Sequence, residues 1–164
     1  MFVPLHDGVP IRHVLAPFVT FGFIGLCTLI FLVQISGLLP ISENAVAAGL
    51  GMIPSVLFGS ASLPEGFPFV PEWLTPFTNI VLHVSWLHLI GNLLFFWVFA
   101  DNVEDAMGHW RFAFFVFATG IAGSLAHALM NPASEQPLVG ASGAVSGVIA
   151  AYLIWPWCIL EVFA

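Results

Sequence analysis

The sequence predicts an all-α integral membrane protein that crosses the bilayer with four helices. Of its 164 residues, 60% are hydrophobic and 7% are charged, and the mean hydropathy is +1.04. A soluble domain has about 25% charged residues, so this composition excludes the soluble classes. About 20 residues are needed to span the hydrocarbon core. Four uncharged stretches can each hold one crossing: 13–42, 73–100, 112–134 and 136–160.

We expect the transmembrane helices near residues 15–36, 78–100, 110–130 and 141–160. The first helix is predicted to remain as an anchor, because its apolar run is too long for a signal peptide. Together the helices are predicted to form a single domain over residues 1–164. A long outer loop, 37–77, is rich in proline and separates the first two helices. Its apolar run 45–59 is short and interrupted by glycine and proline, so we expect an interfacial or re-entrant segment that lies partly in the membrane.

The few cationic side chains set the expected orientation. The chain has 2 Lys and Arg residues against 9 Asp and Glu residues. This balance excludes nucleic acid as a partner, since phosphate neutralisation needs clustered cations. Arg12 and Arg111 fall on the same side of a four-helix arrangement, which by the positive-inside rule is the cytoplasm. We expect both termini in the cytoplasm, with the chain in the plasma (inner) membrane of a bacterium.

Two polar side chains in the second helix indicate either packing or chemistry. His88 and Asn92 are four residues apart, which places them on one face of a helix. Within a bilayer, such side chains form interhelical hydrogen bonds or mark a functional site. His83 lies five positions before His88 and would not share that face. A pair of histidine metal ligands at the i,i+4 spacing is therefore not available.

The fourth helix begins with a glycine-rich segment around Ser142. Gly143 and Gly147 form a small-xxx-small pattern that is typical of close helix packing. Alternatively, the glycines allow a substrate backbone to approach the Ser142 hydroxyl closely. The helix N-terminus also offers free N–H groups to a developing oxyanion. Ser142, His88 and Asn92 can meet in one outward-facing pocket, where a hydroxyl nucleophile would face oxyanion-binding side chains.

Three segments together resemble the rhomboid family of intramembrane serine proteases. They are 83–92 (HVSWLHLIGN), 101–111 (DNVEDAMGHWR) and 140–144 (GASGA). The resemblance implies that Ser142 is the nucleophile. It implies that His88 and Asn92 form the oxyanion hole together with the Ser142 backbone N–H. Gly140 matches the leading glycine of the motif, which keeps the backbone close to the site.

The same resemblance implies a structural role for Glu104 and Arg111. These residues would fix the connection between the second and third helices. Family members cut transmembrane helices of other proteins near their outer ends, with no metal and no cofactor. The expected partners are the lipid bilayer and a transmembrane helix of another protein.

The sequence departs from the family pattern in the number of helices. The family has six, and its general base is a histidine on the sixth, whereas four helices are predicted here. A serine without an adjacent base is a poor nucleophile, so this chain is predicted to be inactive on its own. The alternatives are a pseudoprotease that binds transmembrane helices and a small structural subunit of a larger membrane complex.

We also expect one side of the fourth helix to lack a neighbour within the chain. The Gly143/Gly147 face would then be turned toward lipid, together with the polar groups of Ser142, Ser146, His88 and Asn92. A lipid-facing polar group is costly. A helix of another protein is therefore expected to cover this side.

Overall fold

The computed structural model describes residues 11–38, 42–67 and 69–162, and in this part of the chain every regular element is a helix. In chain order the helices are α1 (Phe18–Ile35), α2 (Glu43–Leu50), α3 (Pro54–Leu57), α4 (Thr75–Thr78), α5 (Trp86–Met107), α6 (His109–Met130) and α7 (Ser142–Val162). Helices α1, α5 and α6 are long and apolar enough to cross a membrane, and α7 is apolar over Ser142–Ile154. The predicted fold class, an all-α membrane bundle, is confirmed.

Helix α5 begins later than the predicted span 78–100. Its first residue is Trp86, because the Ser85 side chain accepts a hydrogen bond from the His88 N–H at 3.2 Å and caps the helix there. The apolar residues before this cap form α4 and two short 3₁₀ turns, Glu72–Leu74 and Asn79–Val81. His83 therefore lies outside the helix in which the sequence pattern places it.

Helix α5 also continues beyond residue 100, through the acidic segment that the hydropathy pattern assigns to a loop. It ends at Met107, and α6 begins at His109. The residue between them, Gly108, has a φ of +77°, a conformation that favours glycine. The acidic segment is helical because the hydrogen bonds to Glu104 and Asp105 offset the cost of burying their carboxylates.

The Glu104 side chain is 0% exposed and joins three helices at this end of the bundle. Its carboxylate accepts hydrogen bonds from the N–H groups of Val19 and Thr20 at 2.9 and 2.8 Å, at the start of α1. It also accepts from the Thr20 hydroxyl at 2.7 Å and lies 2.6 Å from His109 Nδ1 on α6. Glu104 thus contacts both sides of the α5–α6 turn and the first turn of α1.

The neighbouring carboxylate, Asp105, holds the segment that leads into α1. It accepts hydrogen bonds from the backbone N–H groups of Arg12, His13 and Val14, at 3.0, 2.6 and 2.7 Å. The His13 Nδ1 lies 3.0 Å from the same carboxylate. Arg12 therefore lies at this end of the bundle. Arg111 lies at the same end, because it follows Gly108 closely. The Arg111 side chain is exposed, and no hydrogen bond or ion pair of it is found among the described residues.

Aromatic side chains fill the contacts between the long helices. The ring centroids of Phe23 on α1 and Phe96 on α5 are 4.7 Å apart, and those of Phe96 and Phe112 on α6 are 6.2 Å apart. Helix α7 contacts α5 through Phe99 and Tyr152, whose rings are 4.9 Å apart. Such contacts bury large apolar areas and fix the relative positions of the helices.

Glycines bring α6 and α7 into close contact. A Cβ atom at Gly143 would lie 3.1 Å from the Gly120 carbonyl oxygen. One at Gly147 would lie 2.5 Å from the Thr119 Cβ. The Gly143/Gly147 pattern is thus a helix-packing pattern, and α6 covers it. The expectation that this face is turned toward lipid is wrong.

The outer segment between α1 and α5 is hydrogen-bonded to the loop that precedes α7. Met52 and Leu138 exchange both backbone hydrogen bonds, at 3.0 and 2.8 Å, and the Ser55 N–H donates to the Ser134 carbonyl at 3.0 Å. The apolar run 45–59 folds into α2 and α3, and its depth relative to the bilayer stays a prediction. These contacts connect the outer segment to the loop that leads to Ser142.

Candidate active site

His88 and Asn92 occupy the first two turns of α5. The N-cap Ser85 fixes the start of the helix, so that both side chains point to the same face, as the i,i+4 spacing predicts. Asn92 is 9% exposed, and its Nδ2 is buried without a hydrogen-bond partner among the described residues. Buried polar groups in proteins are normally paired. An unpaired amide donor on this face is a group that can bind a ligand oxygen.

Gly140 lies directly against this pair. A Cβ atom at this position would lie 2.6 Å from His88 Cε1 and 2.7 Å from His88 Nε2. It would also lie 3.6 Å from Asn92 Nδ2. The φ of Gly140 is +125°, and its N–H donates to the Asn79 carbonyl at 2.9 Å. Both the space and the backbone conformation therefore require glycine here, and the structure brings Gly140, His88 and Asn92 together.

Ser142 follows two residues later, as the first residue of α7, and its side chain is exposed. The preceding Ala141 is fully buried, and its carbonyl accepts from the Val145 N–H at 2.9 Å, which closes the first helical turn. The N–H groups at the start of a helix have no partner within the helix. No described group accepts a hydrogen bond from the Ser142 N–H. This unpaired backbone donor comes two residues after Gly140, the residue that lies against His88 and Asn92.

Among the described residues, no hydrogen-bond partner of the Ser142 hydroxyl is found. Ser146, one turn further along α7, is also exposed. His127, near the end of α6, is exposed, and no hydrogen bond joins its side chain to Ser142 in the described part of the chain. The arrangement thus provides a hydroxyl and hydrogen-bond donors, and none of the described acid–base side chains is hydrogen-bonded to that hydroxyl.

His83 also lies at this site, a position that the sequence pattern does not predict. Its ring centroid lies 5.2 Å from that of His88, at an interplanar angle of 64°. Burial and the neighbouring His88 lower the pKa of His83 from 6.5 to about 4. The described residues contain no group of three or more His, Cys, Asp or Glu side chains that could hold a metal ion.

The Ser85 cap is the sequence signal that places His83 correctly. A serine three residues before His88 is a typical N-cap, and helix α5 begins directly after it. His83 then precedes the helix, and the five-residue spacing to His88 no longer separates the two rings. No sequence signal indicates that Asn79 contributes to the site, because it acts through its backbone. Its carbonyl accepts a hydrogen bond from the Gly140 N–H.

The comparison with known families decides what this bundle is. The Rhomboid domain matches residues 70–161, which is more than half of the chain and includes all the site residues named above. The chain belongs to the rhomboid family. The recognition made from the three sequence segments is confirmed, as is the assignment to an integral membrane protein that lies in a lipid bilayer.

Several known rhomboid proteins are similar to this chain. It is 35% identical over 97 residues to "Rhomboid-like protein 11, chloroplastic" from Arabidopsis thaliana, a match that covers 56% of this chain and 34% of that protein. It is 34% identical over 109 residues to "Rhomboid-like protease 3" from Toxoplasma gondii, covering 65% and 40%. It is 35% identical over 97 residues to "Inactive rhomboid protein 1" from Drosophila melanogaster, covering 54% and 7%.

These matches each span less than half of the relative's own length. The rhomboid relatives include one named as a protease and one named as inactive. No solved structure gives a significant match to the chain.

Proposed function

We propose that this rhomboid protein carries the nucleophile and the oxyanion hole of an intramembrane serine endopeptidase. In the proposed reaction, Ser142 Oγ forms a bond to the carbonyl carbon of the scissile peptide, and the hydroxyl proton passes to a general base. The carbonyl oxygen takes the negative charge. The His88 ring, the Asn92 amide and the Ser142 N–H donate hydrogen bonds to it.

The unpaired Asn92 Nδ2 is the observation that carries this proposal. A buried amide without a partner is unfavourable in a purely structural pair, because the interhelical role would give it an acceptor on the neighbouring helix. Here the amide lies beside Gly140, two residues before Ser142. A donor placed there is well suited to an oxygen that is present only when a substrate is bound.

The proposed substrate is a transmembrane segment of another protein. The site lies at the N-terminal ends of α5 and α7, next to the outer segment, and Arg12 and Arg111 lie at the opposite end of α5. With the positive end in the cytoplasm, the substrate would be cut near its outer end. We further propose the plasma (inner) membrane of a bacterium as the location, with both termini cytoplasmic.

The general base is proposed to come from outside these 164 residues. No described acid–base side chain is hydrogen-bonded to the Ser142 hydroxyl, and loss of the base costs several orders of magnitude in rate. Residues 1–164 by themselves are therefore not expected to hydrolyse peptides. A base contributed by a further segment or a partner chain completes the site.

A second candidate function is a non-catalytic rhomboid that binds transmembrane helices, alone or as a structural subunit of a larger membrane complex. The exposed, unpaired Ser142 hydroxyl favours it, and so does the similarity to a relative named as inactive. In this case the oxyanion donors would bind a backbone carbonyl of the partner helix without any bond being cleaved.

Labelling of Ser142 with a fluorophosphonate probe tests the proposal. The chain is placed in lipid nanodiscs and treated with the probe in the absence and presence of imidazole, which serves as an external base. We expect labelling to require imidazole and to be lost in Ser142→Ala. The matched control is Ser146→Ala, which removes an equally exposed hydroxyl one turn away.

Each outcome has a distinct meaning for the site. Labelling of Ser142 without imidazole would show that the chain contains its own base. Imidazole-dependent labelling that is equal in the Ser142→Ala and Ser146→Ala variants would overturn the nucleophile assignment. Within the proposed site, Asn92→Ala and His88→Ala should each lower the Ser142-dependent rate by about 10²–10³-fold, since each removes one oxyanion donor.

A further inference from the structure

The His83 ring is buried, and it interacts with the backbone of Val81. Its residue is 1% exposed, and neither Nδ1 nor Nε2 makes a hydrogen bond of normal geometry to a described group. Buried imidazole nitrogens in folded proteins are hydrogen-bonded, because one nitrogen donates and the other accepts in the neutral ring. The Val81 backbone accounts for one nitrogen only, which points to a water molecule as the partner of the other.

His83 is in contact with the ring that we assign to the oxyanion hole. The two centroids are 5.2 Å apart and the rings meet edge to face, with no direct hydrogen bond between their nitrogens. On another side, the Cε1 and Nε2 atoms of His88 lie against Gly140. The His88 ring is thus confined between the backbone at Gly140 and the imidazole of His83.

Helix α1 adds a further unpaired polar atom next to His83. The Gln34 Nε2 donates to the His83 carbonyl at 3.5 Å, and the Gln34 Oε1 is buried without a partner among the described groups. A buried water is held by two to four polar atoms. The Gln34 Oε1 is thus a further polar atom that is available to a water at His83.

We propose that His83 is a positioning residue for His88, and that a water held by its imidazole sets which nitrogen of His88 carries the proton. This inference rests on the proposed function, since it concerns the ring that would bind the oxyanion. His88 Nε2 is the nitrogen beside Gly140, so an oxyanion donor must carry its proton there. A hydrogen bond donated to Nδ1 selects that tautomer, because the partner of one ring nitrogen determines the state of the other. His83, through its water, supplies the donor.

The experiment reads the tautomer of His88 directly by nitrogen NMR. The chain is labelled with ¹⁵N-histidine and placed in lipid nanodiscs, and His88 is assigned by the signal that His88→Asn removes. In the wild-type chain we expect a single tautomer protonated at Nε2. In His83→Phe, which keeps an aromatic ring and removes both nitrogens, we expect a mixture of the two neutral tautomers.

Two further variants separate positioning from packing. His83→Gln provides both a donor and an acceptor, and we expect it to restore the single Nε2–H tautomer. His127→Phe makes the same replacement at an exposed histidine of α6 and should leave His88 unchanged. An unchanged tautomer in His83→Phe, or a mixture in His83→Gln, would overturn the proposal.

A measurement on the unmodified protein keeps the proposal testable if His83→Phe does not fold. Magnetisation transfer from bound water should reach the His88 ring in the wild-type chain. Its absence would overturn the water-mediated contact. Neither NMR measurement needs a reaction, so failed labelling of Ser142 would count against the proposed function and leave the role of His83 unaffected.

Discussion

The Glu104 carboxylate accepts a 2.7 Å hydrogen bond from the Thr20 hydroxyl, although the two residues are 84 positions apart. It also accepts hydrogen bonds from the N–H groups of Val19 and Thr20, which have no partner within the first turn of α1. A carboxylate at this position is favourable because it lies at the positive end of the α1 dipole. The contact ties α1 to the end of α5 that is remote from Ser142.

Replacing Glu104 by Gln should destabilise the protein strongly. The amide keeps one acceptor oxygen but turns an NH₂ group toward N–H donors, and hydrogen bonds to a buried charge are worth about 1.5–3 kcal/mol each. We expect a loss of about 2–4 kcal/mol in the free energy of unfolding, measured by steric trapping in bicelles. Glu135→Gln removes an exposed carboxylate and should leave that free energy unchanged.

Gly140→Ala should damage the site more than the fold. The added Cβ would lie 2.6 Å from the His88 ring at a φ of +125°, so the ring or the loop must move. Backbone strain of this kind costs about 1–3 kcal/mol, and a displaced His88 would no longer be placed to donate to the proposed oxyanion. We expect the imidazole-dependent labelling of Ser142 to fall by at least about 10²-fold.

Gly91→Ala is the matched control for Gly140→Ala. It lies on α5 with nothing within 4 Å of an added Cβ, and a helical alanine is favoured over glycine by about 0.5–1 kcal/mol. Both the labelling rate and the stability should be retained or slightly increased. Equal labelling rates in the two variants would show that Gly140 is not a constraint on His88.

Gly147→Ala should separate α6 from α7, since its Cβ would overlap Thr119. Overpacking of this kind costs about 1–3 kcal/mol. The double variant Thr119→Gly/Gly147→Ala removes the overlapping atoms and should recover most of the lost stability. Gly25→Ala on α1, where nothing lies within 4 Å, should retain or slightly increase the stability. A destabilised double variant with no recovery would mean that the two residues do not pack against each other.

The buried His83 should make the protein less stable in acid. Its pKa is lowered from 6.5 to about 4, so between these pH values the unfolded chain binds a proton that the folded chain does not. The contribution of neutral His83 is fully present above pH 6.5. It declines as the pH falls toward 4, by up to about 3 kcal/mol.

The difference between the wild-type chain and His83→Phe isolates this titration from that of the other histidines. The free energy of unfolding of the variant should fall less steeply between pH 6.5 and 4. Parallel pH profiles for the two proteins would contradict the assignment of a buried, neutral His83.

The sequence predicts the long helices well, because hydropathy over about 20 residues depends little on tertiary contacts. It misplaces the limits of the second helix for two reasons. The Ser85 cap is a local signal that a hydropathy pattern does not contain. The charges of Glu104 and Asp105 are stabilised by donor groups that lie 84 and 93 positions away in the chain, so the acidic segment stays helical.

The candidate site, like the second helix, can be predicted from the sequence only in part. The face shared by His88 and Asn92 follows from helix geometry alone. The helix that packs against Gly143 and Gly147 cannot be predicted in this way, because a small-xxx-small pattern does not specify its partner helix. His13 and His109 contact Asp105 and Glu104, and nothing in the residues around them indicates that pairing.

The backbone pairing of Met52 with Leu138 joins the outer segment to the loop that precedes α7, and Leu138 is the later of the two residues to be synthesised. The ribosome releases the outer segment, α5 and α6 before this loop. The pairing therefore cannot form until both long helices have been made. A change in the outer segment that breaks it would act on the loop before Ser142 without contacting Ser142 itself.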